Sequence, residues 1–544
     1  MKAYLVRILT EALAKITDQP VEADIIIEKP RSADHGDAAT NLAMTLTKKL
    51  GMPPRKIAEA LKAALPLDDG YLSAVEIAGP GFINFRFSEK WLYGQLSEIL
   101  ETGAGYGKTN ENAGKKMQIE FVSANPTGPL TVGHGRNAVL GDTIARLLEW
   151  TGAAVDREYY FNNAGRQMRV LGESVRARYL QELGQKAELP EDGYQGGYIT
   201  DIAKTLIDAH EESLLGCPPN DPVFKNAAEH AIFADIRKTL ERMNIRMDSF
   251  FNEHTLYEDG SIDRVVSRLR ELDLAYDADG AVWFRTTKFG KEKDTVLVKS
   301  TGEPTYRLPD IAYHINKLDR GYDTCIDIFG ADHIATYPDV VSAVEALGYD
   351  SKRIDVQVYQ FVTIVKEGIP FKMSTRKANF VTLDELMDMV GSDVTRFFFL
   401  MRTPGTHLEF DIAEATQQGE KNPVFYLQYA HARIHSILSK ATEEYDLSAE
   451  ADLGLLTHPA ETTLIKDLLQ FPDMVAQAAH HREPHRLINY LNEVAASFHR
   501  FYHDCRIMGE APELAVARVA LLRAVVTVLN NGLTILGIQA PERM

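Results

Sequence analysis

The chain has 544 residues, which at roughly 150 residues per domain predicts about three or four domains and excludes a lone binding module. Hydrophobic residues make up 45% and charged residues 25%, an ordinary globular mix that excludes wholesale disorder. Against 59 Lys and Arg stand 77 Asp and Glu, a formal net charge of −18, so the whole molecule repels polyanions and any nucleic-acid contact must use local basic patches.

In chain order, Leu5, Ile8, Leu9, Ala12 and Ile16 fall at helical spacing, with Glu11 and Lys15 among them. That pattern predicts an amphipathic domain helix and argues against a signal peptide. A strand is expected at Ala23 to Glu28, helices after Asp37, and a strand pair around Ala74 to Phe87 divided by the turn Ala78-Gly79-Pro80-Gly81. The Gly-rich segment Thr102 to Lys116 reads as a linker. Its run Gly103 to Thr109 ends in Gly-Lys-Thr like a phosphate-binding loop, but its first glycine is one residue too close and it follows a helix-like run. Cys217, Cys325 and Cys505 lie far apart with no CxxC spacing, which predicts neither a disulfide framework nor a zinc cluster and fits a reducing compartment.

From Met117 the pattern changes to a short strand, a proline-containing loop, a helix marked by Leu140, Ile144, Leu147 and Leu148, and a second strand at Ala154 to Phe161. Strand, helix, strand predicts a parallel sheet. Residues 165–275 read as a mostly helical insertion, and strands are expected at Ala281 to Arg285, Thr295 to Lys299, Asp323 to Phe329 and Ile354 to Val365. After Asn422 only helices are expected. The most apolar stretch there is broken by Arg518, Arg523, Asn530, Asn531 and Gly532, which argues against a membrane span. The predicted fold is a multidomain α/β chain: a small α+β N-terminal domain over 1–110, a Rossmann-type parallel-sheet catalytic domain over 111–417 with the helical insertion, and an all-α C-terminal domain over 418–544.

Gly133, His134 and Gly135 open the helix after the first strand of that sheet, and its free backbone N–H groups make an anion site suited to a nucleotide phosphate. GHGRNA also fits the dinucleotide pattern, with Asp156 near the distance of a ribose-binding acid. Against a dehydrogenase, some ten residues with Pro126 and Pro129 separate the glycines from their strand. His481 and His485, like His499 and His503, are four apart, but no acidic residue completes an HExxH pattern, so a helix face is expected there.

SANPTGPLTVGH resembles the HIGH-type motif of class I aminoacyl-tRNA synthetases, and FKMSTRK at Phe371 to Lys377 resembles their KMSKS loop. With EFVSANPTGPL, REYYFNNAGRQ, YRLPDIAYH, GADH, FVTLDEL, FFFLMRTPGTHLEFD and NPVFYLQYAHARIHSI, and with HGDAATNLA and IAGPGFINF near the start, the chain resembles the arginyl-tRNA synthetase family over nearly its whole length. The resemblance implies activation of L-arginine by ATP and transfer to the 3′-terminal adenosine of tRNA-Arg, with activation dependent on the tRNA. It implies ATP as a substrate with Mg²⁺ and no organic cofactor, no dedicated metal site, no membrane partner, and a cytoplasmic monomer.

Attack of the amino-acid carboxylate on the α-phosphate builds charge on phosphate oxygens, so donors and cations are needed at both ends of the polyphosphate. By resemblance His134, Thr131, Lys372 and Ser374 are catalytic, and Pro126, Gly133, Gly135, Met373, Arg376 and Lys377 bind ATP. A guanidinium asks for carboxylates and a flanking aromatic face. By resemblance Tyr306 and Asp310, four apart and on one helical face, take the guanidinium, Ser123 and Asn125 take the α-amino and carboxylate end with Glu120 close by, and Asp332 joins the site. Tyr426, Gln428, Tyr429, His431 and Arg433 are candidates for RNA, since aromatic rings stack on unpaired bases, and the N-terminal domain is expected at the tRNA elbow. Two positions depart from the class pattern: Thr131 stands where histidine is usual, and Thr375 where lysine is usual, with Arg376 and Lys377 following. A nicotinamide-dependent oxidoreductase and a catalytically silent tRNA-binding paralogue, the latter motivated by Thr131, are the rival readings.

Overall fold

A computed structural model describes residues 1–544 except 18–20, 31, 68, 371–380, 418, 420–421 and 449. The first helix, Lys2–Ile16, buries the predicted Leu5, Ile8, Leu9 and Ala12, with Leu13 joining them and Ile16 only half-buried at the helix end, against the helix Pro54–Ala64. Beside them lies a three-stranded antiparallel sheet in the order Ala38–Thr40, Phe82–Phe87, Leu72–Ala78. The strand expected at Ala23 to Glu28 is absent. That stretch contributes a single bridge, Glu28 to Ala39. Its residues do alternate between half-buried and exposed, but the neighbouring strand is three residues long, too short to carry a ladder further.

Residues 103–116 are also no loose linker. They leave the helix Glu89–Thr102, and Tyr106 is buried and stacks on Phe471 with ring centroids 6.1 Å apart. Asn531 Nδ2 donates to the carbonyls of Gly103 and Tyr106, each at 3.0 Å. A Cβ on Gly107 would lie 2.3 Å from the Phe471 ring. Gly107 thus permits close approach to the C-terminal helices.

The central sheet is parallel. Strand β1 (Lys116–Glu120) leads through α1 (Val132–Trp150) to β2 (Ala154–Phe161), the βαβ unit that the hydrophobic periodicity predicts. Helices α2 (Gly165–Glu182), α3 (Gly197–His210) and α4 (Pro222–Arg242) follow. The expected helical insertion is interrupted, however, because β3 (Ser249–Asn252) returns to pair with β2. Four residues are too few to show an alternating pattern. Ala275–Ala278, Ala281–Phe284 and Thr295–Val298 form a separate antiparallel sheet, so two expected strands do not join the main one. Helix α5 (Arg307–Asp319) then leads to β4 (Thr324–Gly330), and β5 (Ile354–Tyr359) completes the spatial order β5-β4-β1-β2-β3. The run expected from Ile354 to Val365 divides at Gln360. Its second half, β6 (Val362–Lys366), belongs to another sheet, where it runs parallel to β7 (Leu408–Asp411), with α6 (Leu383–Val390) between them in sequence.

Beyond Asn422 the described elements are helical, from α7 (Pro423–Glu444) to α8 (Pro512–Leu536). Helix α8 carries Arg518, Arg523, Asn530, Asn531 and Gly532 within one continuous run. By length and composition it is apolar enough to cross a membrane, but 72% of its apolar window is buried inside the protein. Arg518 on it is buried and donates to Glu461 at 2.7 Å, and Gly532 is where a Cβ would lie 2.5 Å from Leu491.

Arg396, 1% exposed, joins three parts of the chain. It donates to Asp142 Oδ2 on α1 at 2.7 Å, to the Met243 carbonyl after α4 at 2.7 Å, and to the Leu536 carbonyl at the end of α8 at 2.9 Å. Arg396→Met leaves two buried carbonyls without this donor and is expected to lower unfolding stability by about 3 kcal/mol. Urea denaturation checks this, and an unchanged midpoint would mean that water takes over the carbonyls.

Candidate active site

The order β5-β4-β1-β2-β3 places a topological switch between β4 and β1, where a crevice opens beyond their carboxyl ends. At that point β1 ends and the chain reverses through Val122 at φ +66° and Ser123 at φ +44°. A β-branched residue in the left-handed region is strained and must be held there. Asn137 on α1 holds it: Oδ1 accepts the Val122 N–H at 2.6 Å while Nδ2 donates to the Ile328 carbonyl of β4 at 2.8 Å. The Ser123 hydroxyl donates to Glu120 Oε1 at 2.9 Å and accepts the Tyr160 N–H at 3.2 Å. Asn125 donates to Gln167 Oε1 at 3.0 Å and accepts the Asn162 N–H at 3.2 Å. Pro126 is buried in the same loop. Ser123, Asn125 and Glu120 therefore stand together, as expected of one end of a small-molecule site.

Thr131 caps α1, and its backbone N–H donates to His134 Nδ1 at 3.1 Å. Accepting that bond leaves Nδ1 unprotonated and puts the ring proton on Nε2, which makes no hydrogen bond among the described residues. Burial lowers the His134 pKa. The result is a neutral imidazole with a free N–H at the positive end of a 19-residue helix. Gly133 faces open space, its nearest neighbour for a Cβ being Thr131 Oγ1 at 3.8 Å, whereas a Cβ on Gly135 would lie 2.6 Å from Leu383. One glycine admits a ligand, and the other admits the packing of α6. Lys372, Met373, Ser374, Thr375, Arg376 and Lys377 lie outside the described residues. Both flanks of that segment are placed: Ile369–Pro370 pairs with β6, and Thr382 bridges Thr131, with the Leu383 N–H donating to the Leu130 carbonyl at 2.8 Å.

Arg136 was not among the predicted residues. It is fully buried and donates to the carbonyls of Gln360, Thr406 and Thr403 at 2.6, 2.9 and 3.1 Å, tying α1 to the segments that enter β6 and β7. Desolvation pushes its pKa down to about 10, so it stays charged.

Opposite stands Asp310, in the first turn of α5 and half-buried. Its carboxylate has no hydrogen bond among the described residues. Burial pushes its pKa up to about 7, with Glu120 and Glu253 adding and His314 and Lys317 opposing. Tyr306 lies one turn before it, its carbonyl accepting the Asp310 N–H at 3.2 Å, and the residue is 73% exposed. The predicted Asp332 is a poorer fit. Its side chain is 66% exposed, and the neighbouring His333, stacked on Phe329, lines the cavity beside Asp310.

Glu253, just after β3, also escaped prediction. It is 5% exposed, accepts from the Tyr160 hydroxyl and Asn162 Nδ2, each at 2.7 Å, and is raised in pKa by burial. The signal, an acid after Phe250-Phe251-Asn252, lay inside a stretch read as helix. His314 has an acceptor at each ring nitrogen, the Asp310 carbonyl at 2.7 Å and Asp327 Oδ2 at 2.9 Å, so both nitrogens carry protons. Its pKa is raised accordingly, although burial and Lys317 oppose the shift.

On α7 the candidate RNA contacts separate by face. Gln428 is buried and donates to Asp393 Oδ2 at 2.9 Å and to the Gln539 carbonyl at 3.0 Å, and His431 is buried against the Pro541 carbonyl at 2.9 Å. Both serve packing. Tyr426 is half-buried with its ring 5.2 Å from that of His499. Tyr429 is exposed, and the Arg433 guanidinium sits 5.8 Å from its ring centroid and 4.7 Å from that of Tyr502. They line a groove of about 610 Å³ with Lys440, Arg506 and Met544. No group of three or more metal-ligating His, Cys, Asp or Glu exists among the described residues.

Three family models match in series: the arginyl tRNA synthetase N-terminal domain over residues 3–87, the class I (R) tRNA synthetase catalytic domain over 95–396, and the DALR anticodon-binding domain over 427–544. An arginine–tRNA ligase of Salinibacter ruber is 53% identical over 100% of both chains, and one of Desulfotalea psychrophila is 52% identical over 95% of this chain and 94% of its own. Among solved structures, a putative arginyl-tRNA synthetase of Campylobacter jejuni superposes with a TM-score of 0.76 at 33% identity, covering 84% of this chain and 100% of its own. The arginyl-tRNA synthetase of Thermus thermophilus reaches a TM-score of 0.77 at 24% identity over 100% of both, a likeness of fold.

The hydrogen bond from Thr131 fixes the tautomer of His134. In ¹⁵N NMR of histidine-labelled protein, His134 is expected to show a protonated Nε2, an unprotonated Nδ1 and a titration below that of free histidine. A doubly protonated ring at neutral pH would contradict this geometry.

Proposed function

The chain belongs to the arginyl-tRNA synthetase family, and from that premise we propose how its residues divide the work. It is an aminoacyl-tRNA ligase: L-arginine is activated by ATP to arginyl-adenylate, with release of diphosphate, and passed to the 3′-terminal adenosine of tRNA-Arg. The oxidoreductase and silent-paralogue readings are set aside.

The observation that carries the residue assignment is the unpartnered Asp310 carboxylate, with Glu253 nearby, at one end of a crevice whose other end holds Ser123, Asn125 and Glu120. Asp310 takes the guanidinium, which supplies the missing cation, and the exposed Tyr306 ring closes over it. Ser123 and Asn125 hold the α-amino and carboxylate end. The arginine carboxylate oxygen then attacks the α-phosphorus, forming the C–O–P link as the bond to the diphosphate breaks. The free Nε2–H of His134 donates to an α-phosphate oxygen, where charge grows. Gly133 leaves room for the nucleotide, and Thr131 acts through His134, fixing its tautomer. To Lys372 and Ser374, with Met373, Arg376 and Lys377, we assign the departing diphosphate, because the described flanks of their segment meet the start of α1. Magnesium enters as a companion of the triphosphate, and no step here runs through it.

For tRNA we assign unpaired bases to the Tyr429 and Arg433 groove, the elbow to the N-terminal domain, and no contact to Gln428. Domain limits of 1–110, 111–417 and 418–544 fit this division. Three free cysteines suit a reducing cytoplasm, and we place the enzyme there as a monomer.

Aminoacylation with labelled arginine and total tRNA, beside pyrophosphate exchange with and without tRNA, tests the whole reading. Charging with arginine alone is expected, and exchange only when tRNA is present. Charging with another amino acid would sink the assignment of Asp310.

Losing a charged hydrogen bond costs about 1.5–3 kcal/mol, so Asp310→Asn is expected to raise the KM for arginine roughly ten- to a hundredfold. The same group sets a pH dependence. With its pKa at about 7, Asp310 is protonated below that pH, so arginine affinity is lost as pH falls through 7 and binding at neutral pH releases a proton. In the free protein the sign reverses: the raised pKa opposes folding progressively as pH rises from the ordinary carboxyl range towards 7. Steady-state KM across pH 6 to 8 checks the first effect, and a flat profile would remove Asp310 from the guanidinium site.

A further inference from the structure

The two ends of the crevice are joined underneath by a continuous line of buried groups. Asp327 on β4 and Glu120 on β1 are direct partners across the parallel pair, so two carboxylates stand side by side in an interior that neither can leave. Lys317, 0% exposed, reaches them from α5 and donates to Asp327 Oδ1 and Glu120 Oε2. Its ammonium also lies 4.2 Å from the Tyr313 ring centroid. From Asp327 the line continues through His314 to the Asp310 carbonyl, by contacts of 2.9 and 2.7 Å. From Glu120 it continues to the Ser123 hydroxyl at 2.9 Å.

Helix α5 thus carries the guanidinium end of the site and the exit of β1 carries the α-amino end, with the Lys317 ammonium bonded to both sides. Charge-assisted bonds of this kind are short and directional, and a close-packed interior does not stretch continuously. Asp310 and Glu253 recognise a cation, but a guanidinium on a longer or shorter stem satisfies them equally. Reading stem length requires the far end of the site to sit at a fixed distance, and the Lys317 tie supplies that reference.

We propose that Lys317 is a positioning residue that fixes the span between Asp310 and Ser123 and so selects arginine over guanidino amino acids one methylene longer or shorter. The proposal rests on the assignment above of Asp310 and Ser123 to the two ends of the substrate.

The test uses the full-length enzyme in tRNA charging, with L-homoarginine and 2-amino-4-guanidinobutyrate as competitors of arginine. The readout is each competitor's Ki divided by the KM for arginine. A misfit of one methylene is worth about ten- to two-hundredfold in a fitted pocket, so Lys317→Met is expected to lower the ratio for homoarginine by about tenfold or more. The KM for ATP should not change. Lys317→Arg keeps the charge with a different reach and is expected to move the ratio the same way by less. If Lys317→Met does not fold, Lys317→Met with Asp327→Asn removes a cation and an anion together and takes its place. Folded variants that keep the parent ratios, whatever their KM for arginine, overturn the proposal and leave Lys317 a purely structural group. Asp310→Asn run alongside separates the two levels: an unchanged KM for arginine there overturns the underlying assignment, whereas failure at Lys317 alone leaves the Asp310 effect intact.

Discussion

Three carboxylates lie in one row across the central sheet, and the catalytic half of the molecule is arranged around neutralising them. Asp327, Glu120 and Glu158 are register partners on β4, β1 and β2, and each is at most 5% exposed. Isolated buried charges of this kind are too costly to keep. Helix α5 answers them with His314 and Lys317 and with Arg320 at its C-terminal cap, three residues apart along one face. His314 and Lys317 bond Asp327, Lys317 also bonds Glu120, and Arg320 meets Glu158 through both terminal nitrogens at 2.6 Å, with the Tyr313 hydroxyl at the same distance. The helix is thereby locked in rotation and height over the strand ends. Asp310, one turn before His314, is left as the acid without a partner, directed at the crevice. Glu253, bonded by the neutral Tyr160 and Asn162, stands near it as a second acid with no cation bonded to it among the described residues.

The start of α1 is built differently. Among the described residues it presents backbone N–H groups, a neutral imidazole and small residues, and Arg136 on the same helix is taken up by carbonyls. Thr131 belongs to this design. Its backbone N–H orients His134, and its hydroxyl oxygen lies 3.3 Å from the same Nδ1. Strain at Val122 is accepted because Asn137 holds the exit of β1 and the end of β4 in one grip.

The helical bundle is tied to the catalytic domain by buried polar and aromatic contacts. Arg396 joins α1, the end of α4 and the end of α8, while Asn531 and Phe471 receive the segment after the N-terminal domain.

Several features were legible from residue order alone because neighbours in sequence decide them. The βαβ unit, the capped helix at His134, the helical C-terminal domain and the family motifs all rest on periodicity or on short runs of fixed spacing. What escaped depended on partners far along the chain. The stretch Ala23 to Glu28 has the alternation of a strand but found no ladder, β3 has a ladder but no alternation, and Gly107 serves Phe471, hundreds of residues away. Gln428 and Tyr429 are adjacent in one motif, yet one is buried and the other exposed, because partners distant in sequence, Asp393 and the Gln539 carbonyl among them, cover one face of α7. Glu253 and Lys317 were invisible for the same reason. The sequence by itself determined which chemical groups this protein has and the local frames that carry them. Strand order decided which acids stand side by side and which one remains unpaired, because charge balance in an interior is a property of neighbours in space.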